Sequence, residues 1–224
     1  MPCIRTLVVG LTVWASGSCF ADSITVGTSD SANGFPFGSN SSVGTRYQQA
    51  YAAGDFAGLG VINISDISFF LNNLFIGNLR SGTYTLSLST ITAGINTLSD
   101  TNFDSNLGAN TTLFTTVSLS GPAPATLSFS GTPFRYDPSQ GNLLLDIVVA
   151  NGSEQSPVAN FQAAGGTANG IFSRYHNFGS GTIGYGLVTR FDYSSVPEPA
   201  TLWLLIVPLL CLKLNRARAK QGRI

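Results

Sequence analysis

Between Asp22 and Ser195 the chain has no cysteine, no lysine and no tryptophan, and its single histidine is His176. Each absence removes a class of chemistry. Without thiols there is no disulfide framework and no thiolate nucleophile, so this stretch depends on core burial for its stability. One histidine and no cysteine are too few ligands for a zinc site. That histidine follows Arg174-Tyr175 at an expected strand end, with no serine in a nucleophile-elbow context, so nothing points to a hydrolytic triad. Positive charge is scarce as well. Arg46, Arg80, Arg135, Arg174 and Arg190 stand against ten acidic residues, a balance of −5. A mildly acidic surface repels a phosphate backbone, so nucleic acid is not an expected partner.

The whole chain of 224 residues is only 10% charged, with a formal net charge of zero. The compensating positive charge sits at the C-terminal end, in Lys213, Arg216, Arg218, Lys220 and Arg223. This asymmetry divides the chain into an N-terminal segment 1–21, an ectodomain 22–195 and a tail 196–224.

The first segment has the grammar of a cleavable export signal. Arg5 supplies a basic start, Leu7 to Ala15 an apolar stretch, and Cys19 and Ala21 the small-x-small positions before cleavage between Ala21 and Asp22. Leu7 to Ala15 is too short to span about 30 Å of hydrocarbon as a helix. The tail has three parts: Val196 to Thr201, an apolar stretch expected to be helical over 201–214, and a basic end over 213–224. Pro197 and Pro199 flank Glu198 and hold the backbone extended, as a peptide presented to a recognition cleft. The apolar stretch is short for a span but workable with Lys213 snorkelling, and the basic residues behind it hold that end on the cytoplasmic side. Pro208 inside it opposes permanent residence in the bilayer.

This arrangement resembles the PEP-CTERM sorting signal, with Pro197, Glu198 and Pro199 as its motif. The resemblance implies an exosortase-like processing enzyme as partner, a membrane-embedded cysteine transpeptidase that cuts near the motif. It also implies transient membrane anchoring through the C-terminal helix, then transfer to the cell envelope or extracellular matrix.

Between the two tags no stretch keeps a 3.6-residue apolar period, while short alternating or β-branched runs recur between turn residues. Strands are expected over 23–26, 47–51, 60–64, 67–72, 83–90, 113–119, 125–130, 143–150, 170–175 and 182–193. Tyr84, Leu86 and Leu88 alternate with hydroxyl residues, as in a strand wet on one side. Leu143 to Val149 reads as a central core strand interrupted only by Asp146. The expected fold is all-β: a two-sheet β-sandwich of jelly-roll type flanked by the signal helix and the short transmembrane helix. Phe37-Gly38, Arg46-Tyr47-Gln48-Gln49 with Tyr51, the run from Pro133 to Ile147, and Gly186 to Phe191 resemble the ectodomains of a recurrent group of PEP-CTERM proteins. That likeness implies a shared sandwich and secretion route, and no activity.

The remaining candidate chemistry is sparse. Asp100, Asn102, Asp104 and Asn106 place oxygens at alternate positions of one loop, the pattern of a hard-cation site for which calcium would be the ion; a solvated turn is the favoured reading, and no cofactor is expected. Ser105 and Thr111 stand where such a loop wants glycine and glutamate. Asp55, Asp66, Asp137, Asp146 and Glu154 are the carboxylates from which a glycan-hydrolysing pair would be drawn. Tyr47, Tyr51, Tyr136, Tyr175, Tyr185 and Tyr193 are the aromatics available for a sugar platform. The expected function is a non-enzymatic structural or adhesive role at the cell surface, in contact with exopolysaccharide. A carbohydrate-binding module is the alternative, followed by a glycan hydrolase or an ice-binding protein.

Overall fold

The computed structural model describes residues 22–38, 46–165, 169–175 and 185–196. Outside them lie the expected signal segment with Ala21, the motif Pro197, Glu198 and Pro199, the apolar segment, the five basic residues and His176. Among the described residues twelve strands are present: β1 (Asp22–Val26), β2 (Ser31–Asn33), β3 (Arg46–Tyr51), β4 (Ile62–Phe70), β5 (Ser81–Ile91), β6 (Thr112–Leu119), β7 (Thr126–Tyr136), β8 (Asn142–Ser153), β9 (Phe161–Gly165), β10 (Ile171–Tyr175), β11 (Tyr185–Leu187) and β12 (Thr189–Ser195). The only helices among the described residues are short 3-10 turns. None is long and apolar enough to cross a membrane.

The strands form antiparallel sheets in the orders β1-β12-β4-β7, β10-β3-β8-β5-β6 and β11-β9-β2. The two larger sheets close on one apolar core and make a β-sandwich. Ile62, Ile64, Phe69, Phe129, Tyr136 and Phe191 meet Tyr47, Tyr51, Tyr84, Leu86, Leu145 and Ile147 there. Phe37 lies at its centre, with ring centroids 4.9 Å from Phe69 and 5.4 Å from Phe129. The third sheet adds Phe161, Ala163, Ala164 and Leu187 to the same core. Tyr84, Leu86 and Leu88 are fully buried, as their alternation predicts, and Leu143, Leu145 and Ile147 line the inner face of β8.

Two expected strands, 60–64 and 67–72, prove to be one. In β4 the inward residues are Ile62 and Ile64, then Ile67 and Phe69, so the buried parity changes at Ser65. The ladders to β7 and β12 shift register at that point. A bulge adds one residue and returns the apolar set to the core, which a strict period of two reads as a break. β7 changes parity in the same way across Gly131 to Pro133, from Leu127 and Phe129 to Phe134 and Tyr136. β2 and β9 had no counterpart among the expected strands, because Ser-Ala-Asn and Phe-Gln-Ala-Ala-Gly carry too little β-branched or alternating character.

A buried leucine and an exposed one separate core packing from propensity. Leu145→Ala, at a fully buried position, is expected to cost about 3 kcal/mol in urea unfolding. Leu113→Ala, at a residue 56% exposed, should change stability by less than about 0.5 kcal/mol.

Candidate functional site

β3 is unusual because it is buried on both faces while carrying few purely apolar side chains. Its alternating residues serve two networks. On the inner face, Gln49 Nε2 donates to Leu187 O at 2.8 Å and Leu187 N donates to Gln49 Oε1 at 2.8 Å. Gln49 thus pairs with an irregular stretch of backbone as another strand would. The Tyr47 hydroxyl donates to Gln49 Oε1, and the Tyr51 hydroxyl lies 2.8 Å from Thr189 Oγ1. Burial pushes both phenols well above their ordinary pKa. On the outer face, Arg46 Nε donates to Asp146 Oδ1 at 2.7 Å, and Gln48 Nε2 donates to the same oxygen at 2.9 Å.

That outer network reaches the long β5–β6 connection, where the cation ligands were expected. Asn102 instead caps a 3-10 turn over Phe103–Asn106, accepting from Ser105 N. Asp104 accepts from Arg46 Nη1 at 2.7 Å. Asn106 is buried: its Nδ2 donates to Gln48 Oε1 at 2.7 Å and its Oδ1 accepts from Ser99 N at 2.7 Å. Gln48 Nε2 also donates to Phe103 O. Asp100 is exposed. Three of the four residues therefore fold the loop or clamp it to the sheet. Among the described residues no three His, Cys, Asp or Glu side chains form a metal-holding group. Under the loop a second apolar cluster of Ala50, Ile91, Leu98, Leu144 and Phe172 is sealed from water. Burial works against the charge of Arg46, but its hydrogen bonds to Asp146 and Asp104 leave its pKa above the ordinary value.

Two of the candidate carboxylates, Asp55 and Asp137, lie on neighbouring turns and both raise the pKa of Tyr136, though less than its burial does; the others lie elsewhere. Asp146 belongs to this clamp, and Asp137 caps the turn Pro138–Gln140 through Ser139, whose N–H and hydroxyl hold its pKa below the usual range. Asp137 is the one carboxylate lining an open cleft of about 400 Å³ between Ala53–Gly60 and Asp137–Ser139. Asp55 packs against Gly170, where any Cβ would collide with its carboxylate. Burial raises the Asp55 pKa, opposed by a backbone hydrogen bond at Ala52. Glu154 lies on the β8–β9 side, half-buried. Four of the six tyrosines available for a sugar platform, Tyr47, Tyr51, Tyr136 and Tyr193, are core residues, and Tyr185 is half-buried.

The polar surface that the sandwich does assemble is the outer face of the four-stranded sheet. Antiparallel register aligns Thr25, Arg190, Ser68 and Ser128 in one row and Ser23, Asp192, Asp66 and Ser130 in the next. Arg190 Nε lies 3.1 Å from Asp192 Oδ1, an ion-pair distance without hydrogen-bond alignment. The same guanidinium sits 5.9 Å from the centre of the Phe70 ring. The Ser130 hydroxyl donates to Asp66 and Ser68 Oγ lies 2.9 Å from Ser128 Oγ. Asp66 and Asp192 are directly opposed, a like-charge pair that costs stability unless cations or donors surround it. The row pattern follows from a period of two in each strand, but the pairing of β12 with β4 is not legible in either strand alone. Compared with family models, curated proteins and solved structures, the chain matches none.

Two outcomes follow from these networks. Gln48→Leu leaves Asn106 Nδ2 with Ser99 O as its one acceptor, removes a donor from Asp146 and from Phe103 O, and is expected to cost about 2 kcal/mol. Its amide exchange should accelerate selectively over 99–106; a uniform acceleration would contradict the clamp. The folded pKa of Asp55 lies above its unfolded value, so its contribution is greatest below the unfolded pKa and is lost as pH rises through the folded one. Asp55→Asn is therefore expected to melt above the wild type at pH 7, with the gap closing towards about pH 3. A gap independent of pH would refute this account.

Proposed function

We propose that the chain is an exported cell-surface or matrix protein sorted by its C-terminal tail, whose sandwich is a non-enzymatic module that rests against exopolysaccharide. The sorting half is supported by the sequence order of extended Pro197-Glu198-Pro199, short apolar segment and basic end. An exosortase-like enzyme is the partner that would read this motif, with the membrane held only until cleavage.

The observation that carries the second half is the outer face of β1-β12-β4-β7. Hydroxyls from Thr25, Ser128 and Ser130 stand beside the donors of Arg190 and the acceptors Asp66 and Asp192, over a buried Ser68 that bonds Ser128. A sugar ring offers hydroxyls that both donate and accept, and such a mixed array meets both needs. Phe70, half-buried at the margin, supplies an apolar patch for the ring's C–H face. A flat site of this kind fits the surface of a polymer better than a small soluble ligand, which prefers a concave pocket. The same face favours the carbohydrate-binding module as the second reading.

Strand order supports a jelly roll for the sandwich. Taking β1, β3, β4, β5, β6, β7, β8 and β12 as eight successive strands, one sheet runs first-eighth-third-sixth and the other second-seventh-fourth-fifth. The short strands β2, β9, β10 and β11 are additions to that frame.

Mass spectrometry of the mature C-terminus tests the sorting half. A chain ending near Pro197–Pro199 is expected, and an intact Ile224 in the surface fraction would overturn it. The binding half is tested by retention on immobilised matrix polysaccharide. The double variant Asp66→Asn, Asp192→Asn should lose at least about tenfold in retention. Equal retention of variant and wild type would remove this face from the proposal.

A further inference from the structure

The connection from β4 to β5 ends in three consecutive large apolar residues in water: Leu74 is 85% exposed, Phe75 49% and Ile76 67%. They are not on a loose loop. Asn72 N donates to Asn160 O at 2.8 Å, Asn160 N to Phe75 O at 3.0 Å and Phe75 N to Asn72 O at 3.0 Å. Asn72 Oδ1 accepts from Leu74 N at 2.9 Å, closing a side-chain turn under the tip. Gly77 then runs so close to the Pro157–Ala159 backbone that a Cβ would collide with it. The neighbouring chain therefore fixes the tip from both sides, and the ordering cost of a contact is met in advance. From Ile67 to Leu79 there is no charged residue. A contiguous apolar knob of this kind marks a contact surface.

The cleft lies at the other pole. β4 runs from Ile62 beside the cleft to Phe70 beside the tip, so about 30 Å of strand separates them. Ala53, Gly54, Phe56, Ala57, Gly58, Gly60 and Pro138 make most of the cleft wall, with Asp137 and Ser139 as its polar part. Its volume of about 400 Å³ takes one or two bulky apolar side chains. We propose that the tip of one copy, Leu74-Phe75-Ile76, seats in the Ala53–Gly60 cleft of a second copy of this chain. The exposed Asn73 brings an amide donor towards Asp137. Because the ectodomain carries −5, broad contact between copies is repulsive, and a small charge-free knob is the geometry that avoids it. A lipid surface is the less suitable occupant, since the tip points away from the pole at which β12 delivers Ser195 and Val196 towards the tail. Knob and cleft occupy different surfaces, so the contact is heterologous and extends into a linear row rather than closing as a dimer. It is smaller than a stable interface, so it acts where copies are crowded on a surface. The contact goes beyond the sorting and glycan reading, but its surface setting and the choice against lipid rest on the sorting half.

Disulfide trapping tests the contact directly, because the ectodomain has no native cysteine. In the full chain with Cys3, Cys19 and Cys211 changed to Ser, Ile76→Cys is combined with Ala57→Cys and oxidised mildly on cells whose surface fraction is first shown to hold the chain, so that a failure of export is read apart from a failure of the contact. A ladder of dimers, trimers and longer products is expected on a non-reducing gel, collapsing with reductant. Adding Phe75→Asp should reduce the ladder at least about tenfold with export level unchanged. Absence of the ladder overturns the proposal. So does a dimer of equal yield from Ile76→Cys alone, which would place tip against tip. Release of the Phe75→Asp chain into the medium without any ladder in its parent would assign the tip to lipid and also overturn it.

Discussion

Full satisfaction of polar groups on β3 is the constraint around which the sandwich is arranged. Arg46, Gln48 and Gln49 sit in a strand covered on both sides, where an unpaired amide or guanidinium costs far more than its hydrogen bond returns. Gln49 is satisfied only if Leu187 and Thr189 pass beside it, and Gln48 only if Phe103 and Asn106 do. One short strand thereby determines the position of the β11–β12 segment on its inner side and of the β5–β6 connection on its outer side. Cooperative networks of this sort specify one arrangement among many apolar packings of similar energy.

That constraint also explains how the segment 22–195 stands without cysteine. A disulfide pins distant segments by a covalent bond, whereas here side-chain amides and the Arg46 ion pairs pin them by geometry. The aromatic core around Phe37 supplies the apolar burial, and the polar strand supplies the uniqueness. The outer face of the four-stranded sheet, the apolar tip and the cleft are surfaces that this internal wiring does not use.

Much of the architecture is legible in the chain. The alternation in Tyr84, Leu86 and Leu88 and the apolar run around Leu145 identify β5 and β8 and their buried faces, because a period of two is a direct image of the pleat. Ser65 was less legible, since a bulge looks like a gap between two strands. Asp100, Asn102, Asp104 and Asn106 offer either a ligand loop or a solvated turn, because local spacing is all that a sequence displays. The partners that engage them, Arg46 and Gln48, are more than fifty positions away. The same distance hid Arg190 and Asp66, which look like ordinary strand residues until β12 lies beside β4.

By itself the sequence determined the all-β composition, the inward face of β5, the cysteine-free acidic character of residues 22–195 and the order of the terminal segments. These follow from local periodicity and residue chemistry, which do not require knowing what lies opposite. The tertiary structure alone decided that Gln48 and Gln49 are structural anchors, that Asp66 meets Asp192, and that the apolar tip and the cleft lie at opposite poles. Each of those is a relation between strands, and strand pairing is set by the packing of the whole core, whose energy no single segment contains.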